Sequence, residues 1–125
     1  MKTNESSQKA GFTLVEIMIV VAIIGMLAAI AIPNFIKARA TAQQNACINN
    51  LKQIDGAISE WALETGQSTG ATVASPQTVS AYIKLNSNNS VPPCPANGTY
   101  TTTTVGANPQ VSCSLSTLST PHRLP

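Results

Sequence analysis

Few residues in this chain are of types that carry chemistry: three cysteines, Cys47, Cys94 and Cys113, a single histidine, His122, and five acidic residues, of which Glu16 lies inside an apolar run. A zinc centre built on the thiols would want a fourth ligand. The only histidine lies in a proline-flanked tail, Pro121-His122-Arg123, and no metal or other cofactor is expected. One histidine, no acidic residue after Glu64 and no glycine-rich phosphate loop leave acid–base, triad and nucleotide mechanisms without parts, so the chain reads as no enzyme.

Glu16 is the most informative of these residues. It follows Phe12-Thr13-Leu14-Val15 and opens a stretch that is apolar to Ile32 except for Thr13 and Glu16 itself. A carboxylate near the end of a membrane helix is costly unless it is paired or interfacial, and is a functional-site candidate by default. A cut after Gly11 would give Phe12 a free α-amine four residues from Glu16. The two charges could then meet within one subunit or between neighbours. In the second case, removing both from lipid favours adding a subunit.

The elements that must position these residues follow from the pattern. Residues 12–32 cover about 31 Å as a helix, enough to cross a bilayer's hydrocarbon region. The preceding residues 1–11 are polar and carry Lys2 and Lys9, which favours a cytoplasmic N-terminus. An ordinary secretory signal is cut after its apolar run. Here the small residue, Gly11, stands before the run, so a cut on the cytoplasmic side leaves the apolar helix in the mature chain. Charged residues make up 10% of the chain against roughly 25% in an ordinary soluble domain. Such a weakly charged surface suits packing against copies of itself. A net charge of +2 without a basic cluster gives no footprint for a specific nucleic-acid partner.

Lys9-Ala10-Gly11-Phe12-Thr13-Leu14-Val15-Glu16, the apolar helix behind it and Pro33 together resemble the leader and N-terminal helix of type IV pilins and type II secretion pseudopilins. The resemblance covers about the first third of the chain. It implies that prepilin peptidase cuts after Gly11 and methylates Phe12, and that Glu16 is needed for assembly. It also implies an inner-membrane assembly platform as partner, beside the lipid bilayer and copies of the chain or related pilins. The precursor is then expected to cross the bacterial inner membrane once, N-terminus in the cytoplasm and head outside, before entering a filament in the periplasm or at the cell surface.

Pro33 should bend or locally open the helix where it leaves the membrane. The pattern then resumes, with Cys47, Leu51, Ile54, Ile58 and Trp61 along one helical face. Gly66 supplies an ending after Thr65. A short helix from Ser75-Pro76 to near Leu85, a turn at Asn97-Gly98 and a hairpin of two strands, Tyr100–Val105 and Val111–Leu115, complete an α+β, pilin-like fold. The expected organisation is a leader at 1–11, a transmembrane and filament-core helix at 12–32, an amphipathic continuation at 33–65 and a small extracytoplasmic head at 66–125.

An extracytoplasmic head permits disulfides. Cys94 and Cys113 flank the first hairpin strand with eighteen residues between them, and a bridge there resembles the C-terminal disulfide loop of many pilins. By loop-closure entropy it would contribute roughly 3 kcal/mol. Cys47 is then a buried free thiol, with Cys47–Cys94 the competing pair. Calcium, carried by some pseudopilins, is not expected, because only backbone and amide oxygens are available after Glu64. The small, low-charge head makes a structural subunit of a type II secretion pseudopilus the first reading. The cysteine loop favours a surface pilus subunit for adhesion, twitching motility or DNA uptake, and Glu16 argues against a tip position.

Overall fold

The computed structural model describes residues 11–117 and 121–125. The leader expected at 1–11 therefore lies outside the described residues except for Gly11. Contacts divide the chain into two units, Met1–Lys37 and Ala38–Pro125, and a helix α1, Leu14–Thr65, belongs to both.

In the first unit none of the described residues covers the helix. Its large apolar side chains are exposed, from 50% at Val20 to 75% at Leu14, and this is the one helix long and apolar enough to cross a membrane among the described residues. Pro33 lies inside α1.

The second unit is built on the remainder of α1. Cys47, Leu51, Ile54, Ala57, Ile58 and Ala62 are buried, the helical periodicity of one face. Trp61, at the end of the expected stripe, is half-buried and packs at the edge of the core. Val73, Val79, Ile83, Val91 and Val111 close over that face from the rest of the chain. Burying a side chain such as Leu51 or Ile58 contributes roughly 1.5–3 kcal/mol, so this stripe carries much of the head's stability. Gly66 ends the helix at φ +67°, and the Gln67 N–H donates to the Ala62 carbonyl at 2.8 Å. That closes the last turn in the left-handed manner expected of glycine.

The head has the expected parts in leaner form. The short helix is a 3-10 helix, Pro76–Tyr82, not one reaching Leu85. Its irregular Val79 (φ −104°, ψ 17°) keeps it from continuing as regular helix, and Ser75 is extended with no side-chain capping bond. The hairpin strands are also shorter than read: β1 is Tyr100–Thr102 and β2 is Val111–Cys113, antiparallel, with Tyr100 opposite Cys113 and Thr102 opposite Val111. Beyond Cys113 the chain turns, so Leu115 packs from a turn instead of a strand. The Gly-, Ser- and Thr-rich stretch between Gly66 and Ser75 reads as loop from its composition. It instead runs beside the hairpin through a Thr72–Thr104 bridge, with Val73 N–H donating to Thr103 O at 2.9 Å and Val105 N–H to Ala71 O at 2.9 Å.

Candidate processing and assembly segment

The helix begins with a reciprocal cap. Thr13 Oγ1 accepts from the Glu16 backbone N–H at 3.2 Å, while Glu16 Oε2 accepts from the Thr13 backbone N–H at 2.9 Å and from its hydroxyl at 3.2 Å. This is the capping box, in which two otherwise unsatisfied N–H groups are met by each other's side chains. The carboxylate also sits in the first turn, where the helix dipole favours negative charge. Glu16 thus has a local role that the sequence reading did not assign, although the Thr-x-x-Glu spacing ahead of an apolar run was available as its signal.

Gly11 and Phe12 precede this cap. Both are exposed, with Phe12 at 85%, and a Cβ built on Gly11 meets nothing within 4 Å. Packing against the described residues therefore does not require glycine at position 11. The expected sites Gly11, Phe12 and Glu16 lie together at the start of the apolar helix.

Cys94 and Cys113 are far from that segment in sequence and lie in the head. Both are buried, and in this structure all three cysteines carry free thiols, so the Cys94–Cys113 bridge expected from the pilin resemblance is not confirmed. Their sulfurs and a ring nitrogen of His122 all lie within 4.8 Å of one another. His122, in the proline-flanked tail, is 3% exposed. Its segment is held by Gln44 Nε2 donating to Pro121 O at 3.0 Å and by His122 N–H donating to Leu115 O at 3.2 Å. Burial pushes the Cys47 thiol up to about 12, against the opposing effect of a hydrogen bond from Tyr100. For Cys94 burial also acts upward, but hydrogen bonds from Cys47 and from the backbone N–H groups of Ala96 and Gly98 outweigh it and hold the thiol below its ordinary value. Burial, then the bond to Cys47, raises the Tyr100 phenol.

Comparison with known proteins places the N-terminal segment. The prokaryotic N-terminal methylation motif matches residues 6–32. The type IV major pilin protein PilA of Myxococcus xanthus is 66% identical over 44 residues, 35% of this chain and 20% of that protein. The type IV major pilin protein PilE1 of Neisseria gonorrhoeae is 43% identical over 70 residues, 53% of this chain and 42% of the relative. The type II secretion system core protein G of Klebsiella pneumoniae is 32% identical over 60 residues, 48% and 43% of the two chains. The chain thus spans less than half the length of these relatives, which are structural proteins and not enzymes. No solved structure matches it. Motif, capped apolar helix and helix-plus-hairpin head agree, and through its N-terminal region the chain matches the type IV pilin and type II secretion pseudopilin family, whose prepilin methylation motif it carries.

Proposed function

We propose that this chain is a structural subunit of a surface type IV pilus, made as a precursor, cut after Gly11, methylated on Phe12 and assembled from the inner membrane. The sequence reading placed a secretion pseudopilus first. Relatives named as major pilins, at 66% and 43% identity, favour the other order. The observation that carries the subunit reading is the exposed apolar helix that the methylation-motif match at residues 6–32 includes. A surface of that kind needs lipid or neighbouring subunits around it. In this reading the leader lies in the cytoplasm and the head outside. Prepilin peptidase and an inner-membrane platform act on the precursor, and copies of the chain surround it in the fibre. The similarity to the secretion core protein keeps the pseudopilus as the second reading.

Three measurements test this. Intact mass with N-terminal fragmentation, on protein from its native membrane, should find a chain beginning at N-methyl-Phe12. A chain starting at Met1, or cut beyond Ile32, would remove the filament reading. Replacing Gly11 with a bulky residue should leave uncut precursor in the membrane. Fibres sheared from whole cells should then contain the processed chain; processed chain confined to the membrane and periplasm would restore the secretion pseudopilus.

A further inference from the structure

The cluster inside the head is independent of the processing segment. The geometry points to a structural metal site for one tetrahedral zinc-type divalent cation, held by Cys47, Cys94, Cys113 and His122. Three sulfurs and an imidazole nitrogen are an established donor set for structural zinc. They come from four separate stretches: helix α1, the turn before β1, the end of β2 and the C-terminal segment. All four donor atoms lie within 4.8 Å of one another and all four residues are buried. A tetrahedron with metal–sulfur bonds of ~2.3 Å has edges of roughly 3.8 Å. The donors thus need to close by no more than about 1 Å to meet one ion.

The surroundings have the character of a metal site's supporting groups. In Cys94-Pro95-Ala96-Asn97-Gly98 the backbone folds back, with Asn97 at φ +61° and its N–H donating to Cys94 O at 3.0 Å. This directs the Ala96 and Gly98 N–H groups at the Cys94 sulfur, as a metal-bound thiolate needs. Tyr100 Oη donates to Cys47 Sγ at 3.5 Å and is itself held by Asn50 Nδ2 at 3.2 Å. Gly98 is obligatory for the approach, because a Cβ there would stand 2.5 Å from Cys113 Sγ. On binding, the three thiol protons leave to solvent. Three thiolates and a neutral imidazole around a doubly charged ion then leave one negative charge, which these N–H and O–H donors offset. Four protein ligands in a closed pocket leave no open position for a substrate, so the ion's role is to tie the head together.

The test uses the full chain purified in detergent under reducing conditions. As isolated it should carry one zinc per chain. After chelation and metal removal it should take up one cobalt(II), with the red-region absorption of a tetrahedral ion and thiolate-to-metal charge transfer. Cys47→Ser and His122→Ala should weaken cobalt binding by more than the roughly 10–100-fold that loss of a supporting group costs. His122→Cys, which keeps four ligands, should retain binding with a spectrum shifted toward four sulfurs, and so remains informative if a truncating variant fails to fold. Gly98→Ala should weaken binding by displacing the Cys113 sulfur. Absence of stoichiometric cobalt uptake, or a pale octahedral spectrum, would overturn the site. So would a parallel preparation made without reductant that is zinc-free and two mass units light, which would mean that two of the thiols are a disulfide. An unchanged cobalt spectrum in His122→Ala would remove the histidine and with it the proposed donor set.

Discussion

Glu16 has two separable assignments, cap and charge, and substitutions can divide them. Glutamine at the third helical position still accepts from the Thr13 N–H but carries no charge. If pairing with the Phe12 amine drives assembly, Glu16→Gln should reduce fibre yield nearly as far as Glu16→Ala, with processing intact in both. Thr13→Ala removes the hydroxyl that meets the Glu16 N–H, at a cost of about 1 kcal/mol to the first helical turn, yet keeps the charge. It should leave fibre yield close to wild type by shearing and immunoblot. Full assembly by Glu16→Gln would move the role of this residue from charge pairing to capping. Both roles follow from local spacing, which is why Glu16 stood out in the sequence. His122 did not, because its partner Cys94 is 28 positions away, and a proline-flanked tail carries no periodic signal for that return.

Among the elements, α1 was the most legible, since Cys47, Leu51, Ile54 and Ile58 recur on one face and all four are buried. Gly66 was legible for the same kind of reason, a residue type with one favoured conformation. Gly66→Ala should cost about 1 kcal/mol, since φ is +67° there. Ile58→Ala should cost about 2–5 kcal/mol by opening the middle of the core. Chemical denaturation followed by circular dichroism checks both, with the order of the two effects as the discriminating outcome. The strip around Thr72 was not legible. Its alignment with the hairpin rests on backbone bonds and on Thr102 Oγ1 donating to Val73 O at 2.7 Å, neither of which requires an apolar alternation. The 3-10 geometry of Pro76–Tyr82 was likewise hidden, because a proline start and a seven-residue length serve either helix type.

At the scale of the molecule, the two units differ in what they need from their surroundings. Ala38–Pro125 contains every residue of the core cluster, so a fragment beginning at Ala38 should be soluble without detergent and retain the helical signal of residues 38–65. Size-exclusion chromatography and circular dichroism of that fragment decide the point; aggregation would mean that the head depends on the preceding helix. The full chain should require detergent throughout. In the filament reading, the apolar helix, whose most apolar eighteen-residue stretch holds no residue buried by the described parts of the chain, moves at assembly from lipid to the sides of other helices. One hydrocarbon-like environment replaces another, and almost no apolar surface is withdrawn from water. The heat capacity of polymerisation from bilayers should therefore be close to zero, leaving polar contacts and mechanical work to set the direction of growth.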